Sequence, residues 1–168
     1  MPTFSELQQP EYLHLLLNHL PIHGLAIATL GLALALLMRS RPAQILALAL
    51  VLLSAGAAWP VYASGQRGYK TVRGLADDEG VDFLDEHKDR AEKAIALFAL
   101  VAVIAALAIG LPRRWPRSAT PLAVATLAAA TTVLGIAGYI AYPGGKIRHP
   151  EFRHTARPTH ASPHHLNE

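Results

Sequence analysis

The stretch Ala94-Ile-Ala-Leu-Phe-Ala-Leu-Val-Ala-Val-Ile-Ala-Ala-Leu-Ala-Ile-Gly110 carries no charge and mixes small residues with bulky aliphatic ones. Followed to Pro112 it is 19 residues long. A bilayer core about 30 Å thick needs roughly 20 mostly apolar residues in a helix rising about 1.5 Å per residue. Three further stretches are free of Asp, Glu, Lys and Arg: Tyr12 to Met38, Ala43 to Gln66 and Ser118 to Gly145, of 27, 24 and 28 residues. The chain as a whole has 168 residues, 52% hydrophobic and 16% charged, against about 25% charged in an average soluble domain. These features predict an all-α integral membrane protein with four spans, at about 13–38, 43–63, 90–111 and 119–142. A lipid bilayer is its expected surrounding.

The charges between the spans predict an orientation. Arg39 and Arg41 lie in the first short turn, and Arg113, Arg114 and Arg117 in the other, with no acid in either. The N-terminal segment and the segment 67–93 each sum to −2, and the tail from Lys146 to +2. Because cytoplasmic turns carry an excess of Lys and Arg, the two Arg turns are expected inside. Both termini and the segment 67–93 are then expected outside, in an up-down-up-down four-helix bundle of a bacterial inner membrane. The formal charge of +3 is therefore read as a topology signal. No interleaved basic and aromatic stripe points to nucleic acid, and the N-terminus lacks the positive start of a cleavable signal peptide.

Finer features follow from single residues. Asn18 can cap the first span with Pro21 in its first turn; alternatively a helix from Tyr12 kinks at Pro21 and frees the carbonyl of Leu17. The third helix is expected to start before the membrane, near Val81, since no Pro or Gly interrupts 81–109. A four-span domain over 1–152 and a disordered His- and Pro-rich tail over 153–168 complete the expected organisation.

The absence of cysteine excludes disulfides, thiolate metal sites and C-x-x-C-H haem attachment. Histidine is the abundant ligand type, with nine in the chain. On the expected topology His14, His19 and His23 of the first span, His87 before the third and His149 after the fourth fall near the outer face. Imidazole is the commonest metal ligand and the usual axial ligand of a b-type haem. Glu86 adds a carboxylate beside His87, and Lys146 and Arg148 are cations able to hold haem propionates or lipid phosphates. Taken singly, an interfacial His is more often a snorkelling polar group, and Lys146 and Arg148 are more often headgroup anchors.

Leu13-His14-Leu-Leu-Leu-Asn18-His19-Leu-Pro21-Ile22 resembles the L-H-P-x-x-V-H-F-P-I opening of a widespread family of uncharacterised four-span bacterial membrane proteins. The chain is more similar still to a branch with N-H-x-P, E-H-x-x-A and G-G-x-I-R-H-x-E motifs, here at Asn18 to Pro21, Glu86 to Ala91 and Gly144 to Glu151. The resemblance spans about 12–152 and selects His14, Asn18, His19, His87, Arg148 and His149. It implies redox company, since relatives occur fused to c-type cytochrome domains. His23 stands where the branch has an apolar residue.

Three functions are thus expected to compete. One is an electron-transfer protein, not a stand-alone enzyme, binding haem b through His14, His19, His87 and His149, with quinol and an outward-facing cytochrome as partners. Another is a Cu or Zn site on those histidines with Glu86 and His23. A third is a structural or assembly subunit of a larger respiratory or photosynthetic complex.

Overall fold

The computed structural model describes residues 9–153. Within them the chain forms six α-helices: α1 (Pro10–Leu17), α2 (Leu25–Leu37), α3 (Arg41–Gly56), α4 (Ala58–Leu75), α5 (Asp78–Gly110) and α6 (Ala119–Gly144). α1 runs on into α2 and α3 into α4, so that with α5 and α6 there are four helical stretches long and apolar enough to cross a membrane, Pro10–Leu37, Arg41–Leu75, Asp78–Arg113 and Pro116–Gly144. The protein is an all-α bundle of four such helices. α2 packs on α3, α3 on α5, α5 on α6, and α6 back on α2. This ring order could not be read from one sequence.

What fills the ring explains why it holds in lipid. Of the 19 buried hydrophobic residues, eleven are alanine, among them Ala28, Ala55, Ala105, Ala130 and Ala137. The bulky side chains point the other way: Ile27, Leu37 and Leu53 are 70, 79 and 69% exposed. In lipid there is no hydrophobic drive between helices, so close backbone approach through small residues supplies the packing. The exposed leucines meet hydrocarbon. Buried hydroxyls satisfy themselves locally, Thr29 donating to the Leu25 carbonyl at 2.6 Å and Thr126 to that of Leu122 at 2.8 Å.

The first span takes the kinked alternative. Pro21 has no N–H to return to Leu17, and the chain answers with one π turn, Leu20–Gly24, where the Leu25 N–H reaches the Leu20 carbonyl five residues back. Asn18 ends α1 and does not begin a helix. α1 is thereby offset from α2 and lies against α4.

The segment 67–93, expected to open as a long loop, is instead a helical hairpin. α4 continues to Leu75 and α5 begins at Asp78. The charges stopped the hydropathy signal but not the helix, because they pair across the hairpin and along it. Arg73 bonds Asp85 at 3.2 Å, Tyr69 donates to the same carboxylate, and Lys93 pairs with Asp89 at 2.6 Å. α5 therefore starts three residues earlier than Val81.

Two turns close the ends. Met38–Ser40 forms a Schellman arrangement, with Ser40 N–H on the Ala35 carbonyl at 3.1 Å and Arg39 N–H on Leu36 at 3.0 Å. Its left-handed position holds Arg39 at φ 52°, where a side chain costs about 1–2 kcal/mol and glycine is nearly free. Arg39→Gly is expected to stabilise the protein by about 1 kcal/mol, read as a higher melting temperature in detergent.

The other end holds a residue assigned to the tail. Arg153 is buried, with its Nη1 donating to both carboxylate oxygens of Asp77 at 2.8 and 2.8 Å, and with two more donations, from Nε to the Lys146 carbonyl at 2.9 Å and from Nη2 to that of Ile147 at 2.7 Å. The ordered domain therefore runs at least to 153, one residue past the expected boundary. The remainder of the expected disordered tail, 154–168, and residues 1–8 lie outside the described residues. Asp77 also caps α5 by accepting from Gly80 N–H at 2.8 Å. Arg153 first and the Gly80 N–H second hold its carboxyl below the usual carboxylate range.

A carboxyl whose pKa is lowered by folding contributes stability above its unfolded value, about 4, and that stability is lost as pH falls through the folded value. The clamp's contribution to the melting temperature is expected to be full and independent of pH near neutrality, and to be lost in acid below about pH 4. Asp77→Asn should remove that acid-dependent component; an unchanged pH profile in the variant would contradict the clamp.

Candidate functional site

The structure brings two of the five histidines together. His14 on α1 and His87 on α5 lie with ring centroids 6.2 Å apart and planes at 88°. Each ring is tied by the same device. His14 Nδ1 lies 2.9 Å from the Val61 carbonyl of α4, and His87 Nδ1 lies 2.8 Å from the Ile140 carbonyl of α6. A carbonyl only accepts, so Nδ1 carries the hydrogen in both rings. Nε2 is then the free nitrogen of each neutral ring, with its lone pair available. A ligating imidazole is commonly oriented this way, through a hydrogen bond from its other nitrogen.

Glycine makes room for both. The carbonyl at helix position i is approached across residue i+4, which is Gly65 for Val61 and Gly144 for Ile140. A Cβ on Gly65 would sit 2.9 Å from His14 Nδ1, and one on Gly144 would sit 2.9 Å from His87 Nδ1. Gly68 extends the opening on α4, where a Cβ would lie 3.0 Å from the backbone nitrogen of Glu11. The two hairpins of the bundle thus repeat one construction: a histidine near the N-terminal end of one span, bonded to a carbonyl of the next span, past a glycine.

Pro143 leaves an open carbonyl on the His87 side that a cation occupies. Lacking an N–H, it cannot bond the Tyr139 carbonyl one turn back. Arg90 donates to that carbonyl, lies 3.6 Å above the Tyr139 ring and pairs with Glu86. Glu86 therefore serves Arg90 and is not directed at a histidine.

The other expected site residues lie elsewhere. His19 and His23 stack on each other at 5.5 Å on an exposed face, His19 lying five residues and so about 140° around the helix from His14. His149 is exposed, 2.8 Å from Glu151 and stacked on Phe152 at 5.0 Å. Lys146 donates to the Tyr142 hydroxyl at 2.7 Å, and Arg148 is exposed. Asn18 lies half-buried at the end of α1. Among the described residues no three His, Asp or Glu side chains converge as a metal cluster. The expected four-histidine site is thus a two-histidine pair with its companions dispersed.

Sequence reasoning missed the acceptors and the spacers: Val61, Ile140, Gly65, and Gly144 in this role. Backbone carbonyls leave no mark in a sequence. The usable signal was a glycine four residues after a branched apolar residue in the C-terminal half of both the second and the fourth span.

The fold and pair define a multi-pass helical membrane protein with a two-imidazole site at one end of its bundle. A scan against protein-family models and searches of curated proteins and of solved structures gave no match.

Proposed function

We propose that the protein is a membrane electron-transfer protein in which His14 and His87 would together hold one redox-active metal centre, a b-type haem. The observation that carries this is the matched pair itself. Two metal–nitrogen bonds of about 2.0–2.1 Å, plus about 1.1 Å from each nitrogen to its ring centre, would bring two imidazoles that share one ion to within about 6.3 Å between centroids. The observed separation is 6.2 Å.

The donor count favours haem over zinc. A structural zinc site takes four protein ligands and a catalytic one three, whereas haem asks the protein for two at most. His14 and His87 come from different hairpins, so a shared centre would also fasten the two halves of the bundle. When bound, the group supplies one-electron chemistry. The chain's residues hold the imidazoles in one tautomer through Val61 and Ile140.

The positive Arg turns support placing the pair on the outer side of a bacterial inner membrane, within reach of quinol in the bilayer and of an outward-facing cytochrome. The sequence resemblance to four-span proteins with redox company points the same way. A second reading is copper on the same two histidines, which needs no room for a macrocycle: the groove of about 450 Å³ along α6 is lined by neither ring.

The test is an absorption spectrum of the gently purified protein, reduced minus oxidised, with metal analysis of the same sample. Soret and α bands with about one iron per chain are expected. Copper without those bands would favour the second reading, and neither metal would contradict the proposal.

A further inference from the structure

The groove on α6 is formed by Gly138, Ala141, Tyr142 and Gly145, and is closed at its end by Phe152 and Lys146. It is apolar along its length and cationic at its head. Lys146 lies 4.2 Å from the Tyr142 ring centroid and 5.2 Å from that of Phe83. These rings fix the ammonium in place, and the Tyr142 hydroxyl takes one of its three N–H donors. Two donors remain. Arg148 lies exposed two residues further on, and among the described residues neither cation has a carboxylate partner, Glu151 being taken by His149. Tyr142, 59% exposed at the end of the last span, marks the interfacial depth where aromatic residues gather.

We infer that this groove holds one phospholipid with an anionic headgroup, its acyl chain along Gly138, Ala141 and Gly145 and its phosphate on Lys146. Charge complementarity selects this occupant: the groove's head offers hydrogen-bond donors and positive charge at headgroup depth, while its body offers only hydrocarbon contact. The inference does not depend on a metal at His14 and His87.

The full-length protein, purified in mild detergent and stripped of lipid, is titrated with phosphatidylglycerol or phosphatidylcholine of identical chains and read by native mass spectrometry. Wild type is expected to retain the anionic lipid about five- to tenfold better, the factor one well-placed lysine supplies at an anionic surface. Lys146→Gln should abolish the preference and Lys146→Arg should keep it. Gly138→Leu should weaken both lipids alike, and its fold is safe because a Cβ there meets nothing within 4 Å. Equal retention of the two lipids by wild type, a preference that survives in Lys146→Gln, or displacement of the anionic lipid by an uncharged quinol would overturn it.

Discussion

Gly144→Ala and Gly65→Ala are each expected to lower cofactor retention by about 10- to 100-fold, the range seen when a partner that orients a metal ligand is lost. The added methyl in either variant sits 2.9 Å from the Nδ1 of a ring already pinned to a carbonyl. The ring must turn or withdraw, and the Nδ1–H bond to Ile140 or Val61 goes with it. Helix propensity acts in the opposite direction, favouring alanine by about 1 kcal/mol. The two variants should therefore be no less helical than wild type while binding less cofactor. Gly110→Ala is the control, since nothing lies within 4 Å of its Cβ position. Cofactor retained at wild-type level in both site variants would show that the glycines do not gate the rings.

The largest effect on stability is expected at Gly80. Its Cβ position lies 2.6 Å from the Ile147 carbonyl oxygen, 2.6 Å from Asp77 Oδ1 and 2.9 Å from Arg153 Nη2. One of these neighbours is backbone and the other two are locked in the Arg153 clamp, so no flexible chain end can give way. Overpacking of this kind costs about 1–3 kcal/mol, and the clamp's hydrogen bonds are lost with it. The gain of about 1 kcal/mol in helix propensity is smaller. Gly80→Ala should lower the melting temperature, and Arg153→Met should lower it through the same contacts. The double variant should fall little below the worse single one, because contacts shared by two residues are lost once. Additive losses would show that Gly80 and Arg153 act separately.

Particular residues show why some of this was legible and some was not. The four spans follow from uncharged length, which the bilayer makes decisive, and Ala94 to Gly110 alone nearly carries the reading. The hairpin 67–93 was misread because Tyr69, Arg73 and Asp85 register as polar in any window, while their mutual bonding exists only once α4 and α5 are side by side. The histidines were legible as a set but not as a pair. His14 and His19 are five residues apart, about 140° around a helix, so one turns inward and the other outward, and which one is decided by the packing of α1 on α4. Arg153 sat among tail-like Pro and His residues, and its partner Asp77 is 76 positions away.

The central claim is that His14 and His87 together ligate one redox centre. Its most direct test is the reduced-minus-oxidised absorption spectrum of four purified proteins: wild type, His14→Ala, His87→Ala and the double variant His19→Ala/His23→Ala. The account predicts haem bands in wild type and in the double variant, and their loss in each of the other two with the helical fold retained by circular dichroism. Bands that persist without His14 or without His87, or that vanish only without His19 and His23, would contradict it.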